Sequence, residues 1–429
     1  MDEDRKLCLY FDRMIQSFKD LLLTDTGKDT SIVFAGTLVN VIVGGLFFIL
    51  APRILGPSDF GIFSTVVATG VVAVRLSSLG VETGILKFAH RSSNQQNAIL
   101  SIALKSYLFF GLIIAVIGFF IAPILSAILG HPEITLFLRI AFGATVFFHL
   151  TNLFVAGLQA RQEFLKASIP SIANNVARIV LLLIGSYFFT IGLYFLTVIY
   201  FAVTIISTII GKYFLPFNIE KIDKSLASDF FKFNIWVAFS LTLASIPFDN
   251  YFLLKLAGPI QTGLYAAPLK ILTVVYEFGG NFTSVLASRF ASFDNKEKVI
   301  NFAKKTSGLV LLFSLGLLFL ILIADPLVIL IFGKEFSGSI QVLKILAIGF
   351  IFFFLSTIPS SIILYYFGKS QISFAITFSR YWFFVILLFL AVPSFEAIGA
   401  AYAFTISEFL AFSLMLFYVL FKLNAKNVN

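Results

Sequence analysis

Long apolar runs, each close to 20 residues, dominate the chain between residues 31 and 421. A helix needs about 20 apolar residues to cross the hydrocarbon core of a bilayer, whereas a spanning strand needs about ten residues of alternating polarity. Because the runs are continuous, we predict an all-α polytopic membrane protein with about twelve transmembrane helices. The predicted spans are 31–51, 61–84, 98–122, 136–157, 168–189, 191–211, 233–254, 263–287, 306–325, 340–365, 371–391 and 397–421.

The segment before the first span has a different pattern. Its apolar residues recur at helical spacing between charged ones: Leu7, Phe11, Met14, Phe18 and Leu21. This pattern predicts a cytoplasmic amphipathic helix over residues 1–30 that lies at the membrane interface. A disordered tail is the alternative.

An internal repeat divides the chain. Arg-Ile-Leu-Gly-Pro at 53–57, followed by Gly61, recurs 202 residues later as Lys-Leu-Ala-Gly-Pro at 255–259, followed by Gly263. Further matches follow in the same order: 87–89 with 289–291, the Pro and Gly of 123 and 130 with those of 326 and 333, and 138–140 with 343–345. A duplicated unit of six helices explains this order. It predicts two pseudo-symmetric six-helix bundles, related by an axis along the membrane normal, with a substrate site between them.

The predicted domains follow from the repeat and the spans. They are the amphipathic helix at 1–30, an N-terminal bundle at 31–215, a cytoplasmic linker at 216–232 and a C-terminal bundle at 233–429.

Composition and charge support the membrane assignment. Hydrophobic residues make up 59% of the chain and charged residues only 12%, whereas soluble domains are about one-quarter charged. The net charge of +9 does not indicate nucleic acid, because 21 of the 31 Lys and Arg residues fall on one side of the predicted topology and 3 on the other. The positive-inside rule then places both termini in the cytoplasm of a protein of the cell membrane.

Two predicted spans carry matching polar stripes. Ser171, Asn174, Asn175 and Arg178 share one face of the fifth span, and the eleventh span has Ser373, Thr377 and Arg380 at corresponding positions. Because a charge inside the bilayer is costly, it usually faces a cavity or a partner. The repeat predicts that both stripes face the interface between the halves.

Other spans also contain charges. Arg75 and Glu82 share a face of the second span, Lys270 and Glu277 share a face of the eighth, and position 75 corresponds to position 277. An Arg75–Glu277 ion pair and a cavity with cations on one wall are both compatible with this arrangement. Asp249 and Glu408 lie in the seventh and twelfth spans.

These intramembrane residues are the candidate functional residues. The candidates for binding an anionic substrate are Arg75, Arg178, Lys270, Arg380, Asn174 and Asn175, and the candidates for ion coupling are Asp249, Glu277 and Glu408. The competing interpretation is that they are mutually satisfied pairs within the bundle, or that they extend to the interface.

The motifs of several other chemistries are not found in the sequence. It has no phosphate-binding loop and no Gly-x-Ser-x-Gly motif. His90, His131 and His149 are isolated in sequence, so neither a metal site nor a cofactor is predicted. Cys8 is the single cysteine, which excludes an internal disulfide. We therefore expect a transporter rather than an enzyme.

The first loop carries a resemblance to a known family. Four stretches are involved: Arg-Ile-Leu-Gly-Pro-Ser-Asp-Phe-Gly-Ile-Phe-Ser at 53–64, its repeat at 258–265, Glu-Thr-Gly at 82–84 and Lys-Phe-Ala at 87–89. Together they resemble the polysaccharide-export flippases (Wzx-type). These belong to the multidrug/oligosaccharidyl-lipid/polysaccharide (MOP) exporter superfamily, which includes the MATE transporters. The resemblance covers most of the chain, including its length and its six-plus-six repeat.

The resemblance implies a function. Such a protein flips an undecaprenyl-diphosphate-linked oligosaccharide, a unit of O-antigen, capsule or exopolysaccharide, from the inner to the outer leaflet by alternating access driven by an ion gradient. A cationic central cavity for the diphosphate would come from Arg75, Arg178, Lys270 and Arg380. Membrane lipid, a polysaccharide polymerase and chain-length proteins are the implied partners, and no nucleic acid is expected.

Four alternatives remain open on the sequence. A cation-coupled drug or metabolite exporter of the same superfamily would show more acid than base in its cavity. A peptidoglycan-precursor flippase would be more basic in its first span, which here has no charge between Asp29 and Arg53. A membrane-embedded glycan ligase or polymerase would carry a large outer loop. A major facilitator protein would have Gly and Asp in the loop after its second span, and residues 87–97 contain neither.

Overall fold

The fold is seen in a computed structural model that describes residues 25–88, 93–188, 191–221, 224–291 and 293–424. The predicted amphipathic helix lies almost entirely outside these residues. Fifteen α-helices follow one another: α1 (Asp25–Ser78), α2 (Val81–Phe88), α3 (Ser93–Leu129), α4 (Thr135–Gly143), α5 (Thr145–Ala160), α6 (Phe164–Phe188), α7 (Leu193–Ala202), α8 (Thr204–Phe214), α9 (Lys224–Ala244), α10 (Phe248–Leu256), α11 (Gly258–Ala291), α12 (Lys296–Leu322), α13 (Ala324–Phe332), α14 (Ser339–Ser361) and α15 (Ser370–Asn424).

These helices account for the predicted spans. Eight segments are long and apolar enough to cross a membrane by length and composition alone. Two of them are each a pair of helices joined at a kink, because Gly56 in α1 and Glu396 in α15 have non-helical backbone angles. The more polar α9–α10 and α11 lie where the sequence predicts the seventh and eighth spans. Helices therefore cover all twelve predicted spans, which confirms the all-α polytopic prediction.

Backbone conformation repeats with the sequence. Gly56 and Gly258 both have positive φ, of 68° and 84°, and each is followed directly by a proline. Gly130 and Gly333 also share positive φ, of 82° and 98°. Each of these two is followed by a short 3-10 turn, at Pro132–Ile134 and Lys334–Phe336. Left-handed backbone angles cost little at glycine. The glycines of the repeat therefore occupy equivalent positions in both halves, where the chain changes direction.

The outer surface of the bundle is apolar. Phe120, Leu322 and Phe417 are 70%, 79% and 70% exposed, and many other large apolar side chains are also exposed. A soluble protein rarely exposes contiguous apolar patches of this extent. Lipid is therefore the solvent of this surface, and the protein is a multi-pass membrane protein.

The two halves touch at both ends of the bundle. We call the end that holds Asp25 and Asn424 the terminal face, and the other end the opposite face. At the opposite face the two Gly-Pro turns cross, so that a methyl group added at Gly61 would overlap the carbonyl oxygen of Pro259, and one at Gly263 would overlap that of Pro57.

Further contacts join the halves at and below this crossing. The Arg53 guanidinium donates to the carbonyl oxygen of Leu330, and the rings of Phe60 and Phe336 lie 6.3 Å apart. Deeper in the bundle, the hydroxyls of Thr69 and Tyr251 lie 3.1 Å apart.

At the terminal face, α9 packs on α2. Asn234 lies directly against Gly84, and the rings of Phe230 and Phe88 are 6.0 Å apart. Phe230 is fully buried in an apolar cluster whose other fully buried members belong to the first half. The space between the halves is thus bounded by protein contacts at both faces.

Candidate functional site

A groove between the two halves contains one of the predicted cations. It has a volume of about 580 Å³, and its walls come from α1 of the first half and from α11 and α13 of the second. Its lining is almost entirely apolar, and Lys270 is the charged residue among the lining side chains. The Lys270 ammonium lies 4.5 Å from the centre of the Phe48 ring, a distance at which a cation and a ring attract each other.

A predicted coupling acid lies within electrostatic range of this lysine. Asp249, in the first turn of α10, interacts electrostatically with Lys270 and with Tyr265 of α11. Its Oδ1 also accepts a hydrogen bond of 2.9 Å from the backbone of Asn250. The Tyr265 hydroxyl is buried and has no hydrogen-bond partner within the described chain. Asp249 and Lys270 therefore share one electrostatic environment, although the sequence placed them in different groups of candidates.

Arg178 is buried within its own half. Its Nε and Nη2 donate to the carbonyl oxygen of Tyr200, at 3.2 and 3.0 Å, and its guanidinium lies 3.9 Å from the centre of the Tyr200 ring. Its Nη1 donates to Oδ1 of Asn175 at 3.2 Å. Asn175 in turn donates to Oδ1 of Asn40 at 2.8 Å. The Asn174 Oδ1 is buried without a partner among the described residues.

These contacts lie within the first half. Arg178 and Asn175 connect α6 with α7 and α1, and the substrate-binding role predicted for them stays a prediction. Helical periodicity identified the face on which they lie, but a sequence cannot say which neighbouring helix that face meets.

The corresponding arginine of the second half also has an internal partner. Arg380 Nη1 lies 2.6 Å from Oε1 of Glu408, whose side chain is 6% exposed. Both residues belong to α15, on either side of its kink at Glu396. A predicted substrate cation and a predicted coupling acid therefore form one ion pair inside the second half, and the transport roles predicted for them stay predictions.

The remaining predicted pair is only partly described. Arg75 is half-buried near the end of α1 and interacts electrostatically with Tyr107 of α3. Glu277 belongs to α11, but its side chain lies outside the described residues. The Arg75–Glu277 ion pair stays a prediction.

The structure also groups residues that sequence reasoning did not connect. His149 is isolated along the chain, yet in space its Nε2 lies 2.7 Å from the hydroxyl of Ser77, and Asn152 donates to Glu82 at 3.0 Å. These residues lie on three separate stretches of helix, so no spacing in the sequence could reveal them. Within the described chain, no group of three or more His, Cys, Asp and Glu residues could hold a metal ion.

Comparison with known proteins identifies a family for this chain. The model of a family described as polysaccharide biosynthesis protein matches residues 26–286. The chain is 24% identical over 410 residues to the capsular polysaccharide biosynthesis protein CapF of Staphylococcus aureus. The matched region covers 92% of this chain and 99% of that protein.

Solved structures share the fold. A lipid II flippase, MurJ, in an inward closed conformation matches with a TM-score of 0.74 at 14% identity, over 90% of this chain and 87% of that one. An inward-facing multidrug resistance MATE family transporter of the MOP superfamily matches with a TM-score of 0.69 at 15% identity, over 92% and 98%. At these identities the likeness shows the fold alone, and it confirms the predicted MATE-like architecture.

Proposed function

Since the chain belongs to the polysaccharide biosynthesis protein family and has the fold of MOP-superfamily transporters, we propose that it flips an undecaprenyl-diphosphate-linked oligosaccharide from the inner to the outer leaflet. The movement is alternating access, in which the halves separate at one face while they touch at the other. The protein is a transporter rather than an enzyme, and the flipped unit belongs to O-antigen, capsule or exopolysaccharide.

The groove between α1 and α11 is the observation that carries this proposal. A lipid-linked diphosphate needs a cation for its phosphates and apolar space for its hydrocarbon chain. The groove supplies Lys270 for the phosphates within a mostly apolar wall that includes Phe48, Val274 and Phe332. Ammonium–phosphate hydrogen bonds are strengthened by charge. The position of the groove between the halves is where a carrier of this fold would hold its cargo.

The other polar residues receive separate roles in this proposal. Asp249 is the counter-charge of Lys270 when the groove is empty, and Arg75 is a second candidate cation for the diphosphate. Arg178, Asn174 and Asn175 shape the first half, and Arg380 with Glu408 shapes the second, so these residues act by holding helices. Asp249 and Glu277 are also candidates for ion coupling.

The membrane orientation follows from charge. Most Lys and Arg residues outside the predicted spans belong to the tails and loops of the terminal face. We therefore propose that this face is cytoplasmic, in the cell membrane. The polymerase and chain-length proteins that act on the flipped unit are the proposed partners on the other side.

Flipping of a labelled polyprenyl-diphosphate oligosaccharide in proteoliposomes tests the function. We expect wild type to expose the label in the outer leaflet, and Lys270→Gln to weaken binding by about ten- to hundredfold, because a hydrogen bond to a charged group contributes about 1.5–3 kcal/mol. Lys298→Gln is the matched control, since Lys298 is exposed, is paired with Asp294 and does not line the groove.

Two results would contradict the proposal. Unchanged binding in Lys270→Gln would remove the lysine from the site. A well-folded wild type that exports cationic drugs through Asp249 and flips no lipid would favour the drug exporter of the same superfamily.

A further inference from the structure

A second apolar groove lies on the outer surface of the second half, at the terminal face. Three helices form it, α12, α14 and α15, and its volume is about 360 Å³. We call it the outer groove, and the residues that define it are Ala303, Lys304, Leu355, Pro359, Leu416 and Leu420. None of its lining residues lines the groove around Lys270, so the outer groove is separate from the proposed cargo site.

The wall that α14 contributes to the outer groove is irregular. Pro359 has no N–H, so it cannot donate to the carbonyl oxygen of Leu355 one turn earlier, and both residues line the groove. A π-helical turn follows directly at Ile362–Tyr366. Such turns are rare and occur frequently at functional sites. The distortion of α14 therefore coincides with the outer groove.

The first half shows what closes an equivalent space. At the offset of 205 that relates 138–140 to 343–345, Gly157 of α5 corresponds to Ile362, which lines the outer groove. A Cβ added at Gly157 would overlap the side chain of Leu215, which is completely buried in the segment after α8. The first half thus fills this position with its own leucine. No described residue of the second half fills the outer groove.

The length of the outer groove fits one leaflet of a bilayer. On α12 its lining runs from Val299 to Leu311, which is about 18 Å at the helical rise of about 1.5 Å per residue. The hydrocarbon of one leaflet is about 15 Å thick, half of the whole core. On α15 the lining ends at Leu423, next to Asn424 at the terminal face. An acyl chain of the leaflet at that face can therefore lie along the outer groove.

The outer groove is open toward the lipid. Leu311 and Leu420, which line it, are 55% and 51% exposed on the outer surface of the bundle. A phospholipid can enter sideways from the surrounding leaflet, and no part of the protein has to move.

A cation lies at the entrance of the outer groove. Lys304 is exposed and is the charged residue among the lining side chains. It comes two residues before the predicted span at 306–325, which places its ammonium at the level of the lipid head groups. No described residue forms an ion pair with it. Basic pockets between transmembrane helices attract anionic head groups.

We propose that the outer groove binds one anionic phospholipid from the leaflet at the terminal face. An acyl chain lies between α12, α14 and α15, and the Lys304 ammonium donates to the phosphate. Because the bilayer already gives every acyl chain an apolar environment, the charge of Lys304 selects the lipid. The bound chain fills the second half as Leu215 fills the first, and this role is independent of the proposed flipping function.

Native mass spectrometry of the purified protein tests the site, because each bound phospholipid adds its own mass. We expect wild type to bind phosphatidylglycerol more tightly than phosphatidylcholine, whose head group carries its own cation. Lys304→Gln should weaken the binding of phosphatidylglycerol by about fivefold, the effect of one basic side chain near an anionic head group. Lys305→Gln is the matched control, since Lys305 is an exposed neighbour that does not line the outer groove.

Two further measurements test the apolar part and the stabilising effect. Ala303→Leu places extra volume in the outer groove, so the affinity for phosphatidylglycerol should fall although Lys304 is retained. A ligand that binds only the folded state raises the Tm. Phosphatidylglycerol should therefore raise the Tm of wild type and of Lys305→Gln more than that of Lys304→Gln.

Several results would overturn the inference. Equal affinities of wild type for the two phospholipids would show that the outer groove does not select an anionic head group. Unchanged binding in Lys304→Gln, or an equal loss in Lys305→Gln, would leave only a general effect of surface charge.

Other occupants of the outer groove give different results. Displacement of phosphatidylglycerol by an equal amount of polyprenyl diphosphate would assign the outer groove to the transported lipid. A lipid-free dimer that Ala303→Leu abolishes would assign it to a second copy of the chain. A protein that binds phosphatidylglycerol through Lys304 but flips no lipid would keep this site and lose only the proposed function.

Discussion

Arg380 and Glu408 neutralise each other inside α15, where neither charge has much water around it. Their atoms are 2.6 Å apart, and the Glu408 side chain is almost completely buried. A buried ion pair contributes little net stability compared with apolar residues of similar size, but the loss of one partner leaves an uncompensated charge. The pair therefore behaves as a unit.

This gives a prediction about stability. Arg380→Ala should lower the free energy of unfolding by about 3–5 kcal/mol, because Glu408 is left buried without a partner. The double variant Arg380→Met/Glu408→Met should recover most of that loss. Unfolding in detergent, followed by circular dichroism, measures both variants.

An exposed pair provides the control. Lys298→Ala breaks the contact with Asp294 on the surface and should change the free energy of unfolding by less than about 1 kcal/mol. If Arg380→Ala were as stable as wild type but failed to bind lipid, the arginine would belong to the substrate site after all.

At this scale the sequence predicts which residues are unusual but not which residues meet. Periodicity shows that Asn175 and Arg178 share a helix face, yet their partners Asn40 and Tyr200 lie 135 and 22 positions away. Likewise nothing in the sequence connects Glu82 with Asn152. Contacts between helices depend on how each helix is rotated in the bundle, and a single chain does not record that rotation.

The elements of the two halves meet most closely where the Gly-Pro turns cross. Gly61 and Gly263 allow the backbone of each turn to lie against the other. Since the obstacle to any side chain there is backbone, a methyl group could be accommodated only if the turns moved apart. The conformation in which the two halves touch at the opposite face therefore depends on these two glycines.

We predict that Gly61→Ala or Gly263→Ala opens the opposite face. Overpacking costs about 1–3 kcal/mol, so the ratio of joined to separated states should fall by about 5- to 150-fold. Spin labels at exposed positions 54 and 330, in a protein whose Cys8 is replaced by Ser, report the distance across this face.

Gly308→Ala is the control for this change. A Cβ at Gly308 would meet no atom within 4 Å, so the label distances should match those of wild type. Equal distances in Gly61→Ala and Gly308→Ala would show that the crossing does not hold the face together.

The elements themselves follow closely from the sequence. The apolar runs predicted where the long helices lie, and the repeated Gly-Pro motif marked turns that share positive φ at Gly56 and Gly258. The sequence did not predict that these two turns touch. A turn's own residues say nothing about what packs on it.

At the scale of the whole molecule, the contacts that join the halves at the two faces differ in how favourable their free energy is. At the opposite face, small residues fit backbone to backbone. At the terminal face, Asn234 is fully buried, and neither atom of its amide has a hydrogen-bond partner in the described chain. An unsatisfied buried polar group costs about 1–3 kcal/mol. Water would satisfy this amide when the halves part, so the terminal face should open more readily.

We therefore predict that Asn234→Leu holds the terminal face together. It removes the unsatisfied amide at similar volume, and the joined state should gain about 1–3 kcal/mol. Spin labels at exposed positions 87 and 229 should show a larger population at short distance, and flipping in proteoliposomes should slow.

An opposite change provides the comparison. Asn234→Asp places a charge at the same contact, and should open the terminal face further because an unpaired buried carboxylate is costlier than an amide. If both variants gave the distances of wild type, the amide would have no part in opening.

The crossing of the two glycines also has an evolutionary meaning. In a symmetric dimer, residue i of one subunit contacts residue j of its partner while j contacts i, and Gly61 with Pro259 and Gly263 with Pro57 have this reciprocal form inside one chain. An ancestral unit of six helices could have paired with its own copy through the same turn. Gene duplication and fusion would then have left each glycine in contact with the turn of the other half. Neither glycine could be replaced by a larger residue unless the facing turn changed as well.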